Sequence, residues 1–122
     1  FILENNIVQP FAAIGENVVI WSGSHIGHHV RIGSHSFFSS GVIVSGHASI
    51  GSHCFVGVNC AFSNYAQVGE GSWINYGACV AGVLPPQSYV RSPQMSVTKL
   101  NEKALFRAIS HQAALATGNH QQ

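Results

Sequence analysis

His28 is the residue on which chemistry can be built. It stands in Ile26-Gly27-His28-His29-Val30-Arg31-Ile32-Gly33, five residues ahead of Gly33. A free imidazole titrates near pH 6.5, so at neutral pH it can take a proton from an attacking hydroxyl or amine and later return it. Seven more histidines accompany it: His25, His29, His35, His47, His53, His111 and His120. His29 and His47 are eighteen residues apart, as are His35 and His53. Two histidine pairs invite a metal reading, because neutral imidazole is a common ligand. The only carboxylate side chains are Glu4, Glu16, Glu70 and Glu102, and none accompanies a pair. The pairs are therefore read first as polar structural or interface contacts, with substrate contact as the alternative, and no metal ligand is assigned. His25, His111 and His120 are given no functional role.

The elements that must position His28 follow from a six-residue beat. Every sixth residue from Ile2 is aliphatic or Phe: Val8, Ile14, Ile20, Ile26, Ile32, Phe38, Val44, Ile50, Val56, Phe62, Val68, Ile74 and Val80. Four residues after many of these stands a small one, as in Ala12, Ser24, Ser36, Ala48, Cys54, Cys60, Ala66, Ser72 and Ala78. A period of six is neither the 3.6 of a helix nor the 2 of a plain strand; it is a short strand and a corner, repeated. Three such sides make a triangular coil of eighteen residues, and about five coils stack into an all-β, parallel β-helix. Both repeated residues point inward, the large one filling the prism and the small one fitting beside it. Gly after the aliphatic, as at Gly15, Gly27, Gly33, Gly51, Gly57 and Gly69, is expected at the corner, where a restricted backbone is needed.

Coils are expected from about Ala12 to Val83. The beat fails at Leu84-Pro85-Pro86, where Pro86 occupies the next inward slot, so the prism should end or change there. Ser88-Tyr89-Val90-Arg91 can add one more strand. From Ser96 the composition changes, and Leu105, Phe106 and Ile109 share one helical face behind the N-cap candidate Asn101. This gives a β-helix domain at 1–95 and, at 96–122, a short C-terminal α-helix and polar tail, the helix over about Glu102 to Leu115.

Residues eighteen apart lie above one another, at the interstrand spacing of about 4.8 Å. The four ladder histidines are thus expected at the outward start of strands. His28, one place before His29, falls at the corner itself, where it can project toward a neighbouring subunit. Phe1, Val19, Phe37, Phe55 and Trp73 form one outward apolar stripe. Such a stripe is rarely left in water, so a homotrimer is expected, with cover by the C-terminal helix as the alternative.

Composition narrows the function classes. A net charge of +1 with 7% charged residues offers no basic face for nucleic acid. No apolar run approaches the roughly 20 residues of a membrane span, and no signal-like segment opens the chain, so a cytoplasmic protein is expected. The chain does begin in mid-repeat and could be cut from something longer. Cys54 and Cys60 fall at inward positions and Cys79 outward, a spacing that fits neither a disulfide framework nor a zinc knuckle.

The segment Ile26 to Gly33 resembles the Gly-His-acidic-x-x-Ile-Gly hallmark of left-handed β-helix sugar acyltransferases. The similarity is to the sialic acid O-acetyltransferase-like branch, which includes N-acetyltransferases of nucleotide-linked amino sugars, and it extends over roughly Ile7 to Val90. The resemblance implies a left-handed helix, a trimer and acetyl-CoA as co-substrate. It also implies acetyl transfer to a hydroxyl or amine of a sugar, with nucleotide-linked sugars as the expected acceptors. His28 matches the general base. His29 stands where the family often has an acidic residue that orients the base, so His29 is the expected partner. Gly46 matches a glycine whose N–H meets the acetyl carbonyl. Phe37, where some relatives carry a second histidine near the substrate, is grouped with Gly46 on the cofactor side. The relatives' N-terminal nucleotide-binding region has no counterpart here.

Three alternatives stay open. His47, in Ser45-Gly46-His47-Ala48-Ser49-Ile50-Gly51, imitates the motif one coil later and one position off. A zinc enzyme of the γ-carbonic anhydrase type would need three histidines converging from two subunits. A non-catalytic assembly module would use the apolar stripe alone. The sequence distinguishes neither O- from N-acylation nor one sugar or nucleotide from another.

Overall fold

A computed structural model describes residues 1–118 of the chain. Fifteen two-residue strands wind through three parallel sheets, each strand separated from the next by a turn. The first sheet holds β1 (Ile7–Val8), β4 (His25–Ile26), β7 (Ile43–Val44), β10 (Ala61–Phe62) and β13 (Cys79–Val80). The second holds β2 (Ala13–Ile14), β5 (Arg31–Ile32), β8 (Ser49–Ile50), β11 (Gln67–Val68) and β14 (Val83–Leu84). The third holds β3 (Val19–Ile20), β6 (Phe37–Phe38), β9 (Phe55–Val56), β12 (Trp73–Ile74) and β15 (Tyr89–Val90). This is the hexapeptide-repeat β-helix of about five coils that the beat required.

Register follows the count of eighteen: His25 pairs with Ile43, Arg31 with Ser49, Phe37 with Phe55. The second residue of each central strand points inward, and Ile20, Ile26, Phe38, Val44, Val56 and Ile74 are fully buried. Each such side chain contributes about 1.5–3 kcal/mol by leaving water. The small inward column is buried too, and its polar members are satisfied. Ser36 Oγ accepts from Cys54 N–H at 3.1 Å and donates to Gly51 O at 3.0 Å; Ser72 Oγ accepts from Ser88 N–H and donates to Gly69 O. A buried hydroxyl is tolerated only with such partners. Cys54 and Cys60 are buried free thiols, both pushed up in pKa chiefly by burial, and Cys79 is exposed, as their positions in the beat implied.

Two expectations need correction. The prism changes rather than ends after Val83, and the further strand expected within Ser88–Arg91 is β15, while β14 at Val83–Leu84 was not expected. The beat loses two residues between Val80 and Leu84, Leu84 takes the inward slot, and pairing continues as Gln67 with Val83 and Trp73 with Tyr89. Gly82, at φ +77°, makes that shortened corner, and Pro86 falls in the following turn rather than inward. The glycine after the aliphatic also has a different purpose. The left-handed residue of a corner comes two places later; at nine corners it is Asn5, Phe11, Asn17, His29, His35, His47, His53, Asn59 or Tyr65, all at φ between 55° and 66°, and at others it is a glycine such as Gly23, Gly41, Gly71 or Gly77. Gly27 is needed for close approach instead: a Cβ there would lie 2.8 Å from Val44 O and from Gly46 N in the next coil.

The helix α1 runs Glu102–Ala116, capped by Asn101 Oδ1, which accepts from Ala104 N–H at 2.7 Å. None of its residues is buried, and it packs against no strand, so it does not cover the apolar stripe. His120 lies outside the described residues.

Candidate functional site at the corner of the first and second sheets

Between β4 and β5 the chain turns through Gly27, His28, His29 and Val30; one coil later it turns through Ser45, Gly46, His47 and Ala48. The two turns are tied together by His47 N–H donating to His28 O at 3.0 Å. Below, His29 N–H donates to Pro10 O at 3.3 Å and His28 N–H to Gln9 Oε1 at 3.0 Å. Backbone and side-chain bonds thus hold the His28–His29 turn from both neighbouring coils.

The left-handed residue of each turn projects outward at the same place, so an aromatic column rises along this corner. Phe11 stacks on His29 (centroids 5.0 Å), His29 on His47 (4.7 Å, 2° between planes) and His47 on Tyr65 (4.8 Å). The spacing is that of the coils themselves. His29, His47, His35 and His53 accordingly occupy corner turns, not the outward starts of strands, because the residue after His28 is the one that adopts positive φ.

His28 stands edge-on to this column, at 88° to His29 and 86° to His47. Its Nδ1 lies 3.2 Å from His29 Nδ1, close enough for one proton to be shared between the rings. With that proton on His28 Nδ1, its Nε2 lone pair is left free. The ring lies over Gly46: a Cβ on residue 46 would fall 2.7 Å from His28 Cε1 and Nε2. Gly46 is buried, and among the described residues its N–H has no hydrogen-bond acceptor. Two imidazoles within hydrogen-bonding distance and an uncommitted backbone donor therefore meet at one corner.

The electrostatics are those of three imidazoles without a carboxylate. One ring nitrogen from each of His28, His29 and His47 can be chosen so that all lie within 4.8 Å of one another. The pKa of His47 is lowered, first because neighbouring groups displace water from the ring and then because His29 and His28 resist a further positive charge beside them. A base at His47 is thus possible in protonation state, but its ring is sandwiched between His29 and Tyr65, while that of His28 lies over Gly46.

Other sequence candidates lie elsewhere. Phe37 is in β6 on the third sheet, the face opposite this corner, so within one chain it does not meet His28 or Gly46. It belongs to the outward stripe, where Phe37 stacks on Phe55 and Phe55 on Trp73 at 4.2 Å, in register with Val19 below and Tyr89 above. His35 and His53 form their own pair at the next corner, with Asn17 Nδ2 at 3.1 Å from His35 Nδ1. His25 sits outward in β4 between Ile7 and Ile43. Sequence reading missed Gln9, Phe11 and Tyr65; the last two could have been found by extending the count from His29 and His47 by eighteen each way. A shallow groove of about 390 Å³ follows the second sheet past Arg31, Ser49 and Ser52 and leaves His28 outside it. The histidine corner of a single chain is an open edge.

Comparison with known proteins fits this architecture. Residues 11–46, which include both turns up to Gly46, match the family described as bacterial transferase hexapeptide (six repeats). No curated protein matches the chain significantly. Among solved structures it is similar to the acetyltransferase domain of PglB from Neisseria gonorrhoeae in complex with acetyl coenzyme A. The identity is 22%, covering 69% of this chain and 50% of that one, with a TM-score of 0.45. It is also similar to a mutant perosamine N-acetyltransferase from Caulobacter crescentus in complex with CoA and GDP-perosamine (18%, 72% and 49%, TM-score 0.33). A third is AntD, an N-acyltransferase from Bacillus cereus, in complex with dTDP and 3-hydroxybutyryl-CoA (12%, 94% and 87%, TM-score 0.36). The chain spans about half the length of the first two.

Proposed function

We propose that the chain is an acyltransferase that moves an acetyl group from acetyl-CoA to a hydroxyl or amine of a sugar, with His28 as general base. The observation that carries this reading is the seating of His28: Nδ1 is 3.2 Å from His29 Nδ1, and the Nε2 side of the ring lies over Gly46. Acetyl-CoA and a nucleotide-linked amino sugar are the ligands that the similar proteins suggest.

In this mechanism His28 Nε2 takes the proton of the acceptor hydroxyl or amine as that oxygen or nitrogen attacks the thioester carbonyl carbon. The carbonyl oxygen becomes an oxyanion, which Gly46 N–H is free to meet. Collapse breaks the carbon–sulfur bond and returns the proton from His28 to the CoA thiolate. His29 fills the place of an acidic partner with a neutral acceptor, so it fixes the tautomer of His28 without bringing a negative charge. Because the corner is open, an enclosed acceptor site needs a second surface. A homotrimer supplies one, and the Phe37–Phe55–Trp73 stack on the third sheet is the apolar face such a ring would cover. A cytoplasmic setting fits the co-substrate, and no helix among the described residues is long and apolar enough to cross a membrane.

The test is His28→Asn assayed for thiol release from acetyl-CoA with a panel of nucleotide-linked amino sugars. His28 is exposed, so the coil should survive, and kcat should fall by about 10²–10⁴-fold with unchanged circular dichroism. Turnover near that of the parent would remove His28 from the mechanism.

A further inference from the structure

We infer that His28, His29 and His47 also form, within one chain, a binding site for a nitrogen-preferring divalent transition metal of the Zn²⁺ class. The three imidazoles are the described His/Cys/Asp/Glu side chains whose ligand atoms come together, all within 4.8 Å. His28 Nδ1 and His29 Nδ1 are already 3.2 Å apart, close to the roughly 3.3 Å edge of a tetrahedron with metal–nitrogen bonds of about 2.0–2.1 Å. Their rings stand at 88°, so both lone pairs can converge without the rings colliding. The third ligand requires one movement. His47 is stacked parallel to His29, and parallel rings one coil apart cannot both hold an ion in plane, so His47 must turn about its Cβ–Cγ bond. It is exposed, and the turn gives up its stacking on His29 and Tyr65 in exchange for the metal–nitrogen bond.

The backbone does the rest of the positioning. His29 and His47 are fixed by their left-handed corners, and the His47 N–H bond to His28 O locks the two turns together. All-nitrogen ligation without a carboxylate selects Zn²⁺, Co²⁺, Ni²⁺ or Cu²⁺ over Mg²⁺ and Ca²⁺. Three protein ligands leave one position for water or another donor. Metal binding does not depend on the acyltransfer reading; only the consequence that a bound ion occupies His28 and silences the base rests on it.

The experiment uses the tag-free, chelator-treated chain. Zn²⁺ is titrated in competition with a fluorescent zinc indicator, and Co²⁺ is titrated alone for its visible spectrum. One equivalent per chain is expected, with a tetrahedral Co²⁺ spectrum. His29→Asn and His47→Asn should each weaken Zn²⁺ at least about tenfold, since even outer-shell losses cost that much. Asparagine tolerates positive φ, so both variants should keep the fold, checked by circular dichroism. His35→Asn and His53→Asn should change nothing. Absence of stoichiometric binding, binding untouched by His29→Asn and His47→Asn, or equal weakening by His35→Asn would each overturn the site.

Discussion

Gly46→Ala separates the position of the base from its chemistry. A Cβ at residue 46 would fall 2.7 Å from His28 Cε1 and Nε2 and 3.2 Å from Nδ1. Ordinary contact begins near 3.4 Å, so the ring must withdraw by about 0.7 Å or more. The obstacle is an exposed side chain rather than backbone, and Gly46 is not among the glycines at positive φ, so the coil can accept alanine. Stability should hold or rise by about 0.4–1 kcal/mol, since alanine has fewer unfolded conformations to lose. Catalysis should not hold. A displacement approaching 1 Å at a reacting group costs on the order of 10²-fold, about 2.7 kcal/mol of transition-state stabilisation. The assay is initial-rate thiol release from acetyl-CoA alongside thermal unfolding by circular dichroism. A variant with unchanged melting temperature and kcat reduced about a hundredfold is the expected result. Full turnover with alanine in place would refute the reasoning, because His28 could not then be working from its seat over residue 46.

Three further perturbations reach other parts of the structure. Phe55→Glu places a charge between Phe37 and Trp73 on the third sheet; it should convert a trimer to monomers by sedimentation velocity, and an unaltered profile would count against that face as the contact. Ile50→Asp buries a carboxylate between Ile32 and Val68 at a cost of several kcal/mol, so the variant should be unfolded or melt far lower; unchanged melting would contradict the inward assignment. For His47, whose pKa is lowered by displaced water and by His29 and His28, the folded chain binds fewer protons than the unfolded one just below pH 6.5. Melting temperature of the metal-free protein should therefore fall as pH drops from about 6.5 through that lowered pKa. His47→Asn should flatten the slope, and identical slopes would exclude the effect.

The scaffold was legible because its period is set by geometry that every residue must obey. Counting by six located Ile20, Ile26, Phe38 and Val56 in the core, and counting by eighteen located the Phe37–Phe55–Trp73 stack. It went wrong where the chain departs from its own period: the two residues lost before Leu84 moved Pro86 out of the inward slot and put Leu84 there instead, although the last strand at Tyr89–Val90 lies where the sequence placed it. The helix face of Leu105, Phe106 and Ile109 was correct as a pattern, yet no periodicity says what such a face packs against, and among the described elements it meets no strand. Assigning positive φ to the glycines misplaced the ladder histidines by a step. His29 was expected beside His28, but His47 appeared separate from both, and the three-imidazole cluster stayed hidden.

What singles out this corner is a mismatch between two coils. Positions two after the inward aliphatic stack like all others, and along this edge they read Pro10, His28, Gly46 and Asn64. Gly46 lacks a side chain, as does Gly82 in the shortened last corner, but only Gly46 lies directly above a histidine, His28. Any Cβ at 46 would meet the imidazole, and any corner without glycine above it would push such a ring outward into water. One His beneath one Gly therefore defines a single level of the prism at which a base can lie against a backbone N–H. The column of Phe11, His29, His47 and Tyr65 flanks that level and sets two further imidazoles against His28. An uninterrupted repeat would have given ladders with no distinguished rung, and so no site.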